Sequence, residues 1–491
     1  MNAPLRRVAL ACLVLFGLLL VNVNYVQTVK ASAYRDDRRN GRTLLRTFQH
    51  ERGPIVLSAG SGGAPIVAVD VATPKDRFKF QRTYPRGPLY AAVSGFSSFV
   101  YGATGLERAQ NPVLSGESDR LLVRRLSDYV TGRQPEGGRI VLTIRAAAQQ
   151  AAYAGLQGKR GAAVALDPRT GAVLAMVSTP SYNPARLSSH DSTAIRSYYR
   201  QLQGDRQDPL LNRAVQQTYP PGSTFKIVTS AAALGSGRFT PDTRIPSPPE
   251  LTLPQTTSTL KNFGGESCGD GRTDTLSDAF AISCNTAFGQ LGLDLGQAAL
   301  RQQALRFGFG DESLRLPGNV ARSVFPDALN PPQTAQAAIG QYDVRVTPLQ
   351  MALVAAGVAN GGDVMKPYLV REIQGPDLSR LGQTDPSIYR AQAVSRSVAD
   401  SLTAMMELVV ASGTGTAAQI PGVRVAGKTG TAQHAEGQAP HAWFVGFAPA
   451  NDPQVAVAVV VEDGGNAGSE ATGGRVAAPI ARDIMRAVLG Q

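Results

Sequence analysis

Strand-forming and helix-forming runs are segregated along the C-terminal part of this chain, and that order restricts its fold more than any other feature. Gly161–Leu166 and Val173–Val177 are short apolar runs on either side of Asp167-Pro168-Arg169-Thr170-Gly171. Two such runs around a turn-forming cluster read as an antiparallel hairpin. A second pair, Trp443–Phe447 and Val455–Val461, flanks Pro449-Ala450-Asn451-Asp452-Pro453. Between the pairs, apolar residues recur at helical spacing over Phe225–Leu234, Ser277–Leu293, Thr347–Ala359 and Ser397–Val410, and Val476–Leu489 reads as a closing helix. Pro- and Gly-rich stretches such as Ile245–Pro254 and Leu329–Pro332 read as loops. Strands at both ends with helices between them predict a mixed α/β (α+β) domain whose sheet joins both ends of the chain.

Upstream, Gly137-Gly138 marks a boundary, followed by a strand over Arg139–Arg145 and a helix over Ala146–Leu156. Ile55–Ser58 and Pro65–Val71 are strand-like, Ser118–Val130 is a helical candidate, and Tyr34–His50 reads as an amphipathic stalk helix. At the N-terminus, Arg6 and Arg7 precede an apolar run from Val8 to Val21 that continues more weakly to Val29. That length reaches what a spanning helix needs, about 17–25 residues. The arginines hold the N-terminus inside and send the rest of the chain out. An uncleaved anchor is the favoured reading. A cleaved signal ending at Ala31-Ser32-Ala33 is the alternative, and export follows either way. The chain thus divides into an anchor (1–29), a non-catalytic pedestal (30–155) and a main domain (156–491).

Composition adds three constraints. Hydrophobic residues make up 43% and charged residues 18%, which allows a packed core and excludes wholesale disorder. The net charge is +12, yet no nucleic-acid motif or dense basic block accompanies it. Only eight of the basic residues are lysines, against 41 arginines. Arginine serves wherever a permanent charge suffices, but it does not readily shed its proton, so each lysine merits inspection. Of the three cysteines, Cys12 lies in the apolar run. Cys268 and Cys284 are either a disulfide, which an oxidising compartment permits, or two buried thiols. A Cα separation of about 4.4–6.8 Å would mark the bridge.

Three short sequences carry candidate chemistry. In Pro220-Pro221-Gly222-Ser223-Thr224-Phe225-Lys226, the prolines set up a helix start and put Ser223 and Lys226 three residues apart on one face. A lysine made neutral by burial or a neighbouring cation can take the serine proton. In Ser283-Cys284-Asn285, the hydroxyl can pass a proton and the amide can hold a substrate amide. In Lys428-Thr429-Gly430-Thr431, a cation and two hydroxyls suit a carboxylate, and Gly430 lets a substrate backbone approach an edge strand. Each alone has an ordinary structural reading as a helix cap or surface residue. Together, in this order, they match the S-x-x-K, S-D-N and K-T-G set, with Cys284 in place of the Asp.

On these residues the chain resembles the class B penicillin-binding proteins, closest to their short actinobacterial A type. The resemblance extends to Asn212-Arg213-Ala214, Gly340-Gln341, Thr347-Pro348-Leu349-Gln350-Met351, Gly413-Thr414-Gly415-Thr416 and Trp443-Phe444-Val445-Gly446-Phe447. The chain departs at Tyr342, where many relatives carry Gly-Gln-Gly, and at Cys284.

The resemblance implies a penicillin-binding transpeptidase / serine β-lactamase-like fold. That fold has an antiparallel sheet flanked by helices and an all-α subdomain, here behind a small mixed pedestal and a single-pass anchor. It implies a D,D-transpeptidase that cross-links peptidoglycan stem peptides ending in D-Ala-D-Ala and is acylated by β-lactams. Ser223 would be the nucleophile, Lys226 the base, Ser283 the proton relay and Asn285 the substrate-amide holder. Lys428, Thr429 and Thr431 would bind the carboxylate and polarise the site, Gly430 would belong to the substrate-binding strand, and no cofactor or metal is required. Glycan polymerisation would fall to a polytopic membrane partner, alongside division or elongation proteins, with the catalytic domain outside the cell membrane. The alternative is a D,D-carboxypeptidase with the same acyl-enzyme. A sensor would need a cytoplasmic output, for which the residues before the anchor leave little room, and a silent scaffold would have lost one of the three motifs.

Overall fold

The computed structural model describes residues 2–31, 34, 48–58, 64–121, 136–433, 437–470 and 472–491. The expected stalk helix and the helix over Ser118–Val130 lie largely outside them. Asn2–Thr28 forms one helix, and its stretch Ala3–Thr28 is long and apolar enough to cross a membrane, with a mean hydropathy of 2.2 and none of it buried against the rest of the chain. Leaving so many apolar side chains in water would be costly, so the helix serves as a single-pass anchor candidate.

The two strand pairs predicted from sequence combine into one five-stranded antiparallel sheet. Its order is Ala426–Ala432, His441–Ala448, Val455–Val461, Gly161–Leu166 and Val173–Thr179. The join between the two ends of the domain is the pairing of Val455–Val461 with Gly161–Leu166. Alternate residues of Val455–Val461 face opposite cores, as the two-residue period of a strand requires. Val457, Val459 and Val461 pack with Ala148, Ala152, Ile480 and Ile484 of the helices Ala146–Leu156 and Ala478–Leu489. Ala456, Ala458 and Val460 face the core that holds Leu349, Met351 and Leu353 of the helix Pro348–Ala359. Both faces are covered, which is why this strand is continuously apolar rather than alternating. Each buried valine contributes roughly 1.5–3 kcal/mol of transfer free energy.

A six-stranded sheet lies in the region expected to form the pedestal, and two of its strands come from much later in the sequence. The order is Arg380–Gln383, Val370–Gln374, Arg139–Leu142, Ile55–Leu57, Ile66–Ala72 and Phe80–Thr83. Beneath it Glu107, fully buried, takes Arg52 Nε and Arg82 Nε at 2.7 Å each, and Tyr84 Oη donates to it at 3.1 Å. The helix Ala146–Leu156, expected at the end of the pedestal, packs mainly with the closing helix and the five-stranded sheet.

Two expectations from sequence are corrected. Ser277–Leu293 is not one helix but two, Leu276–Ala281 and Asn285–Leu295, separated by a turn in which Ser283 adopts φ 64°. The break is capped from outside: Asn262 Oδ1 accepts the N–H groups of Asn285 and Thr286 at 2.8 and 3.2 Å. Helical periodicity survives such a break because both halves bury the same face. Ile245–Pro254 is not a loop throughout. Arg244–Pro246 pairs with Thr273–Thr275, and Glu250–Thr252 pairs with Thr259–Lys261. Strands of three residues lie below what alternation can reveal.

Candidate active site

The polypeptide around Ser223 begins as a 3₁₀ turn, Gly222–Phe225, and passes directly into the α-helix Lys226–Gly235. In a 3₁₀ turn residues three apart eclipse one another, so Ser223 and Lys226 align more closely than α-helical spacing alone would give. The turn is held from three sides. Trp443 Nε1 donates to Pro220 O at 3.1 Å, and Gly222 N donates to Gly340 O at 3.0 Å. Upstream, Arg213 Nε and Tyr219 Oη donate to Glu462 Oε1 at 2.8 and 2.7 Å, tying the approach to the end of a sheet strand.

Ser223, Ser283, Asn285, Thr429 and Thr431 line one cleft of about 940 Å³. Lys226 and Lys428 lie beneath its floor with no exposed surface. Lys226 Nζ donates to Ser283 O at 2.7 Å and Asn285 Oδ1 at 2.9 Å, and lies 3.3 Å from Ser283 Oγ. Lys428 Nζ donates to Ser283 Oγ at 2.9 Å and Thr429 O at 3.1 Å. Ser283 is therefore the meeting point of the two lysines. It reaches that position because the left-handed turn interrupts the helix there.

Each ammonium also faces an aromatic ring, Lys226 over Phe288 at 5.2 Å and Lys428 over Phe280 at 5.5 Å. Burial, and then the neighbouring charge of Lys428, hold the Lys226 pKa well below the usual lysine range. Burial alone brings Lys428 down to about 7. Two carbonyl-type oxygens use two N–H groups of Lys226, and Ser283 Oγ is the third polar atom in reach of its nitrogen.

Gly430 acts differently from the sequence expectation. It belongs to the edge strand Ala426–Ala432, but a side chain there would meet Thr224 Cγ2 at 2.9 Å and Pro221 O at 3.0 Å. The space that a side chain would take at Gly430 is occupied by the turn that carries Ser223. Thr429, 5% exposed, is hydrogen-bonded through its hydroxyl to Thr414. Sequence reasoning assigned no role to Thr414, although it lies in the quoted Gly413–Thr416 stretch, and it had no signal for Asn262.

Cys268 and Cys284 form a disulfide with their Cα atoms 5.9 Å apart, which decides between the two readings left open. The bridge fastens the Ser283 turn to the neighbouring loop across 16 residues. Replacing both cysteines by serine is expected to lower unfolding stability by about 3 kcal/mol. Denaturant midpoints measured without reductant check this; the gap to wild type should close when both proteins are reduced.

An antiparallel sheet covered by helices on both faces, with S-x-x-K, S-x-N and K-T-G sequences meeting in one cleft, defines the class of penicillin-recognising serine acyl-transferases. Residues 161–486 match the family described as the penicillin binding protein transpeptidase domain, and residues 52–140 match the penicillin binding protein A dimerisation domain. The chain belongs to the penicillin-binding protein transpeptidase family. It is 47% identical to the peptidoglycan D,D-transpeptidase PbpA of Mycolicibacterium smegmatis, over 100% of this chain and 99% of that one. It is 44% identical to PbpA of Mycobacterium tuberculosis, with the same coverage. The structure of penicillin-binding protein A from M. tuberculosis as a penicillin G acyl-enzyme complex superposes with a TM-score of 0.84 at 43% identity, covering 90% of this chain and 100% of that one.

Proposed function

We propose that the chain, by family a peptidoglycan D,D-transpeptidase, cross-links stem peptides through an acyl-enzyme on Ser223. The observation that carries this reading is Ser283 Oγ, which accepts from Lys428 and lies within reach of Lys226 in the cleft that Ser223 lines. Neutral Lys226 takes the Ser223 hydroxyl proton as Oγ bonds to the carbonyl carbon of the penultimate D-Ala. The N–H groups of Ser223 and Thr431 hold the oxyanion. The proton then passes through Ser283 to the amine as the C–N bond breaks and D-Ala leaves. Lys428 supplies positive charge for the terminal carboxylate, with the Thr429 and Thr431 hydroxyls at the cleft wall, while Asn285 holds the substrate amide. An amine of a second stem then attacks the ester and frees Ser223. A β-lactam follows the first half of this path and stays attached.

Residues 1–29 act as the anchor, 30–155 as the pedestal, and 156–491 as the transpeptidase domain, with the helix Ala146–Leu156 packed onto the latter. Strands Val370–Gln374 and Arg380–Gln383 tie the last two together. The catalytic domain lies on the outer side of the cell membrane, supported by Arg6 and Arg7 before the span and by the disulfide. A polytopic glycan polymerase and division or elongation proteins are its partners at the membrane.

Incubation with a stem-peptide thioester and excess D-amino acid tests the reaction. The expected product is the exchanged peptide. Hydrolysed peptide alone would make the chain a D,D-carboxypeptidase.

A further inference from the structure

Seven non-glycine residues have positive φ among the described residues, and two of these line the catalytic cleft. One is Ser283, whose turn brings it to the lysines. The other is Tyr342, at φ 57°. A bulky side chain in the left-handed region is an outlier, and glycine adopts that conformation without steric cost. Such strain persists only where the surroundings over-determine it, and it concentrates at functional sites.

The surroundings of Tyr342 do over-determine it. Gly340, two residues earlier, accepts from Gly222 N at 3.0 Å, and a side chain on Gly340 would meet Gly222 O at 2.1 Å. The turn is thereby locked to the one that carries Ser223. On the other side, the Gln341 amide, oriented so that both its ends are satisfied, bridges Gln433 O at 3.1 Å and Gln433 N at 3.3 Å, just beyond the edge strand. Gln333 Nε2 donates to Tyr342 Oη at 2.8 Å and holds the ring itself. Tyr342 is 37% exposed, in the wall of the cleft. Its hydroxyl is tethered by Gln333, and it shares the cleft with Ser223.

We propose that Tyr342 is a specificity-determining residue: its ring limits the bulk of the acyl substituent that the cleft admits. This rests on the acyl-enzyme reading of the same site. The phenol hydroxyl is already engaged by Gln333, so the ring is the limiting element.

The test compares acylation rate constants of wild type, Tyr342→Gly and Tyr342→Phe. The two probes are 6-aminopenicillanic acid, which lacks an acyl substituent, and a ureidopenicillin, which carries a large one. Glycine suits the backbone at this position, so Tyr342→Gly keeps the turn. It is expected to accelerate acylation by the ureidopenicillin on the order of tenfold, and to leave 6-aminopenicillanic acid within about twofold. Tyr342→Phe should behave as wild type with both. A uniform change with both probes, no change, or a slowing confined to the large probe would overturn the proposal. If wild type is acylated by neither compound, the acyl-enzyme reading fails instead.

Discussion

Ser223→Ala is expected to abolish covalent capture of β-lactams, with a fall in acylation on the order of 10⁶-fold, the scale seen when a serine nucleophile is removed. Intact-mass measurement after incubation with penicillin should show a single adduct on the wild type and none on the variant. Among the described residues the Ser223 hydroxyl has no hydrogen-bond partner, so its removal leaves no buried group unsatisfied. Stability should therefore stay within about 0.5 kcal/mol of wild type. The thermal unfolding midpoint separates loss of chemistry from loss of fold. An adduct that survived the substitution would place the nucleophile elsewhere.

Lys226→Met is expected to slow acylation by about 10²–10⁴-fold, or roughly 3–5 kcal/mol of transition-state stabilisation, the range for a general base. Methionine fills a similar volume without a charge. It also removes a buried amine whose protonated form is penalised by burial and by Lys428, so the variant should unfold at no lower denaturant concentration than wild type. Loss of activity with retained or raised stability is the signature of a strained catalytic group.

The pH profile carries the same information. If Lys226 is the base proposed above, acylation needs it without its proton, and the rate is expected to rise with pH through a pKa well below that of an ordinary lysine. The charge on Lys428 has the opposite sense: it is full below about 7 and lost as pH rises through that value. A carboxylate ligand prefers the charged form, so its apparent affinity should weaken above about pH 7. In Lys226→Met the rising limb should disappear while the affinity loss at higher pH remains. Stopped-flow acylation across pH, resolved into affinity and rate, checks both.

Much of the architecture was legible because its signals are local. The hairpin around Asp167–Gly171 and the pair around Pro449–Pro453 stand as expected within one sheet, and only which of their strands meet, Val455–Val461 and Gly161–Leu166, needed three dimensions. The apparent single helix over Ser277–Leu293 misled because both halves present one apolar face to the same core. The break depends on Asn262, more than twenty residues upstream, whose side chain caps the second half. No window of sequence contains both ends of that interaction. The pedestal sheet was incompletely legible for the same reason: two of its strands lie beyond residue 369.

The amino-acid sequence by itself determined the kinds of chemistry available. It placed a serine three residues before a lysine at a helix start, and a hydroxyl and an amide flanking Cys284. It set a lysine among threonines on a strand, and an apolar run fit to anchor them at a membrane. These are residue identities and short spacings, and both are written in the chain. Only the tertiary structure decided how far apart those groups lie and how wet they are. It buried both lysines completely, brought Ser283 between them, closed Cys268 onto Cys284, and showed that Gly430 yields its space to Thr224. Proton affinity and reach depend on desolvation and on distances between segments remote in sequence, and folding alone sets those.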